Sequence, residues 1–278
     1  MPYENIIYER EGRVVRIIMN RPEKRNPLSW AMMSDIIAGL GEAKADTDVR
    51  VVIIKGAGPS FSGGHDLSEI GIDVGLGPQM QHRPSVRLLL SREDRLREFY
   101  KTVFDFPKPI IAQVHGYCLH GAFNFQLVCD ITIAAQDAHF EGKGAPVVNI
   151  PNYMPEVAFP FGLGRRNIAF HVSGRDAENL GLITRAVPAD KLEKEVEKLA
   201  STVALMPADA LELNKNSVNG VLDLASLGGA WRISSIAHGF GTLQRMRPGE
   251  YSFFKSRRDA GVKATIEARR AGELARQR

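Results

Sequence analysis

The stretch Lys108-Pro109-Ile110-Ile111-Ala112-Gln113-Val114-His115-Gly116-Tyr117-Cys118-Leu119-His120-Gly121-Ala122 decides the architecture. Its first part, Ile110–Val114, is a short, mainly apolar run of the kind that forms a strand buried on both faces. Two glycines then punctuate a turn, a helix is expected to about Cys129, and Ile131–Ala135 reads as the next strand. The same sequence of events begins upstream, where the apolar run Val51–Lys55 enters the glycine-rich segment Gly56–Asp66, ending Ser62-Gly63-Gly64-His65-Asp66. A buried strand, a glycine turn and a helix that recur in this order predict an α/β fold.

Working outward, Ile6–Tyr8 and Val14–Met19 are β-branched runs separated by Glu11-Gly12, a hairpin signal. A polar loop punctuated by proline, Asn20–Leu28, precedes a helix predicted from Ser29 as N-cap to about Ala45, with Trp30, Met33, Ile36, Ile37 and Leu40 on one face. A second helix, Ser85–Phe104, is amphipathic through Leu88, Leu89, Leu96 and Phe99 and stops before Pro107-Lys108-Pro109. Between them Gly71–Pro84 has no helical or strand period and reads as a loop. Beyond Pro188 the pattern is helical: Lys191–Leu205, Ala208–Asn219, Leu222–Gln244 and Phe253–Arg276. The expected division is therefore a mixed core over residues 1–200 and a helical region over 201–278.

Composition narrows the function classes. Hydrophobic residues make up 44% and charged residues 24% of 278 residues, as in ordinary globular chains. No apolar run approaches the roughly 18 residues of a membrane span. The N-terminus is charged where a secretion signal is apolar, so a cytoplasmic location is expected. The two cysteines, Cys118 and Cys129, lie inside apolar runs and read as buried, reduced thiols. No cluster of metal-ligand spacing is visible, so no metal and no prosthetic group is expected. From Lys255 to Arg278 eight basic residues stand against three acidic ones, a local +5 in a chain whose net charge is +4. That tail reads either as a solvated helix face or as a counter-charge for an anionic partner such as phosphate. Nucleic acid is not expected, because no binding motif or aromatic platform accompanies the charge.

The chemistry lies in the two glycine turns. Glycine lets backbone N–H groups point outward together and approach a ligand closely. One N–H from each turn could hold a single developing oxyanion, and in such sites one donor is worth about 3–4 kcal/mol.

Several ordered motifs resemble the crotonase (enoyl-CoA hydratase/isomerase) superfamily. Pro59-Ser60-Phe61-Ser62-Gly63-Gly64-His65-Asp66-Leu67 is similar to its first fingerprint, and Lys108–Tyr117, continuing through Gly121 to Cys129-Asp130, to its second. Asn20-Arg21-Pro22 with Asn26-Pro27-Leu28 resembles its N-terminal signature. Leu163-Gly164-Arg165-Arg166, Ser173-Gly174-Arg175, Ala177 and Gly181-Leu182-Ile183 match later segments.

The resemblance implies a spiral of ββα units with a helical C-terminal trimerisation region, assembled as a homotrimer or homohexamer. It implies an acyl-CoA substrate, coenzyme A entering as part of that substrate, and an oxyanion hole made by the backbone N–H groups of His65 and Gly121. Coenzyme A would meet the backbone around Gly63, Asp66 and Leu67, its phosphates Lys24 and Arg25, and its nucleotide the C-terminal helix of a neighbouring subunit through Phe253 and Arg269. The two glutamates of family hydratases would fall at Asn124 and Gly144, so both carboxylates are replaced. An amide orients water but does not take its proton near neutral pH, and glycine offers nothing. Glu141, beside the second vacancy, and His120, before the oxyanion glycine, are the tentative acid/base groups; Lys143, Asn152, Tyr153, Glu156 and Asp73 are weaker alternatives. Enoyl-CoA lyase or isomerase chemistry, hydrolysis or carbon–carbon cleavage of an acyl-CoA, and acyl-CoA binding without catalysis all remain open.

Overall fold

A computed structural model describes residues 3–70, 85–141, 171–224, 229, 232–233, 236, 239 and 252–276, the side chains of 269–276 excepted. The first strands, β1 (Ile6–Glu11) and β2 (Val14–Met19), form an antiparallel hairpin in which Glu11 pairs with Val14. The chain then crosses through α1 (Trp30–Ala45) to β3 (Val51–Gly56), which lies parallel to β2 with Val14 opposite Val51. The next crossover is α2 (Val86–Phe104), leading to β4 (Ile110–Val114), parallel to β3. Short strands β5 (Tyr117–Leu119), β6 (Ile131–Ala135), β7 (His139–Glu141), β8 (His171–Ser173) and β9 (Arg185–Val187) follow. They are interspersed with α3 (Gly121–Leu127) and α4 (Gly174–Asn179). The strands make two sheets. One has the order β1-β2-β3-β4-β6-β9, parallel from β2 onward, and the other has the order β5-β7-β8.

Val51, Val52, Ile53, Ile54, Ile110, Ile111 and Ala112 have no exposure, as expected of central parallel strands covered on both faces. Helix α1 starts where the sequence predicts. The Ser29 hydroxyl accepts from the Met32 N–H, and Met32, Met33, Ile36, Leu40 and Ala43 form the buried stripe. Trp30 and Ile37, expected on that stripe, sit at its margin. Trp30 instead carries the Arg95 guanidinium 4.0 Å from its ring centre.

Helix α2 buries Leu89, Leu96, Phe99, Tyr100 and Val103, whereas Leu88 is exposed. At about 100° per residue, Leu89, Leu96 and Val103 stay nearly in line, and Leu88 falls about 80° from Leu96. That rotation corrects the placement of Leu88 on the buried face. The second glycine stretch also contains a strand, β5, that the sequence did not announce, because three residues are too few for a periodic signal.

Helix α5 (Leu192–Val203) runs through residue 200 and inserts Val196 and Ala200 into the core; Arg16 donates two bonds, of 2.7 and 2.6 Å, to Glu197 on this helix. Helix α6 (Ala208–Leu224) is continuous across the break expected after Asn219. Lys215 on α6 bonds the Asp130 carboxylate at 2.7 Å, fastening this helix to the end of the second glycine motif. Helix α7 (Phe253–Arg276) bends at Gly261, whose backbone leaves the helical region. No helix of the described residues is long and apolar enough to cross a membrane.

Candidate active site

The first glycine turn is held in place by Asn26. Its side-chain Nδ2 donates to the carbonyls of Ala57 and Ser60, each at 2.9 Å, and its Oδ1 accepts from the Arg21 N–H at 2.8 Å. The residue is fully buried, with φ of 49°. The Ser62 hydroxyl donates to the Asn26 carbonyl at 2.7 Å and accepts from the Gly64 N–H at 3.2 Å. The Asn26 of the N-terminal signature is thus a scaffold for the turn and has no reason to touch substrate.

The turn lies between two neighbours. On one side Leu28 pairs with His65 in a parallel bridge: the Leu28 N–H donates to the Gly64 carbonyl and the Asp66 N–H to the Leu28 carbonyl. A parallel bridge of this kind uses the groups flanking residue 65, so the N–H of His65 itself faces away from Leu28. On the other side Ser62 bridges Cys118 of β5, with Ser62 N–H donating to Tyr117 and Leu119 N–H to Ser62. The two glycine stretches are therefore hydrogen-bonded to each other. At Gly64, φ is +89°, and a Cβ would lie 2.6 Å from the Leu119 carbonyl oxygen and 3.4 Å from the Gly121 nitrogen. Only glycine allows both that conformation and that approach.

Gly121 opens α3, so its N–H belongs to the first turn, where the helix supplies no acceptor. His120 precedes it with φ of 50°, in the left-handed region, and its N–H donates to the Glu141 carbonyl at 2.7 Å. A Cβ on Gly121 would meet the His65 imidazole at 2.6 Å, so ring and glycine are in close contact. Tyr100, fully buried on α2, ties these pieces together: its hydroxyl lies 3.1 Å from the Gly121 carbonyl and 3.1 Å from His65 Nε2. A carbonyl only accepts, so the hydroxyl donates to Gly121 and the Nε2–H of His65 donates to the hydroxyl. Tyr100 shares the buried face of α2 with Leu96 and Val103, and nothing in the sequence places its hydroxyl beside His65 and Gly121.

The remaining predicted residues are placed as follows. Asn124 is buried on α3 at 2% exposure. Glu141 ends β7, and its carboxylate lies 3.8 Å from His171 Nδ1. Lys24 closes a short 3-10 turn, and Arg25 follows in the left-handed conformation with its guanidinium 4.9 Å from the Tyr117 ring centre. The Gly63 N–H donates to the Arg25 carbonyl at 2.8 Å, which brings the expected phosphate and adenine contacts side by side. Asp66 faces Arg21 at 3.6 Å. Phe253 is buried at 1% exposure against its own chain, with Arg257 5.4 Å above its ring. Arg257, not singled out by sequence, donates to the carbonyls of Leu67 at 3.2 Å and Ile70 at 2.6 Å, so α7 is fastened to the first glycine turn. Burial holds its guanidinium below the usual arginine value. Gly144, the side chain of Arg269, Lys143, Asn152, Tyr153, Glu156 and Asp73 lie outside the described residues, as does the Leu163–Arg166 motif. Cys118 and Cys129 are free thiols whose pKa values burial pushes up.

His139 and His171 join Glu141 in a cluster that no spacing rule could have shown, since His171 is 30 residues beyond Glu141. Burial, and secondarily His171, pull the His139 pKa below its ordinary value.

The sequence profile described as enoyl-CoA hydratase/isomerase matches residues 9–253. A Mycobacterium tuberculosis protein carrying a provisional enoyl-CoA hydratase name is 31% identical over 262 residues, which is 85% of this chain and 81% of the relative. Among solved structures, an enoyl-CoA hydratase from Mycobacterium smegmatis is 25% identical and superposes with a TM-score of 0.83, covering 96% of this chain and 93% of its own. An enoyl-CoA hydratase/isomerase from Xanthobacter autotrophicus Py2 is 29% identical with a TM-score of 0.80, covering 97% and 98%. With this profile matching residues 9–253, and with a parallel-strand sheet and a helical C-terminal region like those of the structural neighbours, the chain belongs to the enoyl-CoA hydratase/isomerase family.

Proposed function

We propose that this protein is a crotonase-type enzyme that binds an acyl-CoA thioester and stabilises its enolate between the backbone N–H groups of His65 and Gly121. The observation that carries this reading is the approach of the two turns, where a Cβ on Gly64 would stand 3.4 Å from the Gly121 nitrogen. Donors held by a scaffold need no reorganisation as charge develops on the thioester oxygen. The reaction is lyase or isomerase chemistry on an unsaturated acyl-CoA. Asn124 replaces the first expected carboxylate, so the proton is moved by another group, with Glu141 and His120 as the candidates nearest in the chain.

The coenzyme A contacts are assigned to Lys24, Arg25, Gly63, Asp66 and Leu67, with the basic C-terminal helix as counter-charge. Assembly as a homotrimer or homohexamer is supported by the row Leu213, Val218, Val221 and Leu224, which leaves large apolar side chains exposed on α6. Two free thiols, Cys118 buried and Cys129 part-buried, suit a cytoplasmic location.

A second reading, acyl-CoA binding without hydration, is favoured by one observation: Asn124 is buried where a proton acceptor is needed, and an amide cannot serve as one. The test has two arms. A panel of acyl-CoAs is screened by thermal shift, which requires binding and not turnover. Loss of crotonyl-CoA conjugated absorbance, and thiol release, then report chemistry. Turnover that drops about 100- to 1000-fold in Gly121→Pro supports the enzyme reading. Stabilisation without turnover selects the second reading, and no stabilisation by any acyl-CoA defeats both.

A further inference from the structure

The small sheet has two unlike faces. Strand pairing sets Tyr117 opposite His139 and Leu119 opposite Glu141 on one side, and His139 opposite Ser173 and Glu141 opposite His171 on the other. Because successive side chains alternate, Cys118, Phe140 and Val172 project to the core face, where Cys118 and Phe140 are fully buried. Tyr117, Leu119, His139, Glu141, His171 and Ser173 project to the other. Two imidazoles and a carboxylate therefore share one face by register alone.

Their ligand-type atoms all lie within 4.8 Å of one another, and His171 Nδ1 is 3.8 Å from Glu141 Oε2. Around zinc, bonds of about 2.0–2.2 Å in tetrahedral geometry place neighbouring ligand atoms roughly 3.4 Å apart. The His171–Glu141 separation is within a few tenths of an ångström of that. Closing a separation as wide as 4.8 Å takes up to about 1.4 Å of side-chain movement, and the His171 side chain, 53% exposed, is free to contribute it. The neighbouring Tyr117 ring packs edge-on against His139 at 5.2 Å between centres and limits how that imidazole can turn.

We propose that His139, Glu141 and His171 form a binding site for a divalent transition-metal ion of the zinc type, three-coordinate from the protein with water in the remaining position. Two nitrogen ligands and one carboxylate select borderline ions over magnesium or calcium, which prefer all-oxygen sets. The ion would join β7 to β8 across residues distant in sequence and brace Glu141, whose carbonyl holds the His120 N–H. Holding the ion would occupy the Glu141 carboxylate, which leaves His120 as the proton-transfer candidate of the acyl-CoA reading.

The test uses the full chain without a polyhistidine tag, stripped with chelator and titrated calorimetrically with zinc sulfate, and with cobalt chloride read by visible absorption. The expected result is saturation at about one equivalent per chain, a rise in Tm, and a tetrahedral cobalt spectrum. His171→Ala and Glu141→Gln should each weaken binding about 10- to 100-fold or more. His171 is on an edge strand and Glu141 is the last residue of the central one, and an unchanged circular dichroism spectrum verifies the fold. Should His139→Ala unfold the chain, the other two variants still decide the matter. No saturable binding, or binding of equal affinity in His171→Ala and Glu141→Gln, overturns the proposal.

Discussion

Gly121→Ala is the sharpest probe of the interlocked turns. The added Cβ would stand 2.6 Å from both Cδ2 and Nε2 of His65, about 1 Å inside ordinary carbon contact. The ring cannot swing away without stretching its 3.1 Å bond to Tyr100. Overpacking of this kind costs about 1–3 kcal/mol. Gly121 has no positive φ and begins a helix, so alanine returns up to about 1 kcal/mol in propensity. A net loss of about 1–2 kcal/mol is expected. His65→Ala alone loses the ring's packing and its hydrogen bond, also about 1–2 kcal/mol. In the double variant the clash is gone, so its loss should fall short of the sum of the two single losses by the whole clash term, about 1–3 kcal/mol. Urea unfolding by circular dichroism at matched protein concentration measures all four corners of the cycle. Additivity within about 0.5 kcal/mol would refute the contact, and with it the proximity of the two turns. Both backbone N–H groups survive in the double variant, so whatever turnover Gly121→Ala loses should partly return.

Tyr100→Phe keeps the ring and removes the hydroxyl that bonds His65 Nε2 and the Gly121 carbonyl; a loss of about 1–2 kcal/mol in urea unfolding is expected, and no change would count against the network. Asn124→Glu combined with Gly144→Glu should gain crotonyl-CoA hydration, and a folded, acyl-CoA-binding double variant with no gain would mean that the pocket has diverged beyond those side chains. Cys118 and Cys129 should resist iodoacetamide at pH 8 in the native protein and react in urea, because burial raises both thiol pKa values; native alkylation at the unfolded rate would contradict their placement.

The α/β class, the helices that begin at Ser29 and Ser85, the central strands and the family were all legible in the amino-acid order. Each rests on local rules: apolar runs, caps, proline stops and glycine turns act over a few residues and are visible in one dimension. That Asn124 and Gly144 stand where family hydratases carry glutamates is an expectation from the resemblance alone. Which residues meet depends on how the elements pack. Asn26 as the scaffold of the first turn, Tyr100 between His65 and Gly121, Arg257 on the carbonyls of Leu67 and Ile70, and the grouping of His139, Glu141 and His171 all join residues far apart in the chain. Such contacts are set by strand register and helix rotation, where one step moves a side chain to another face, as Leu88 beside Leu89 shows.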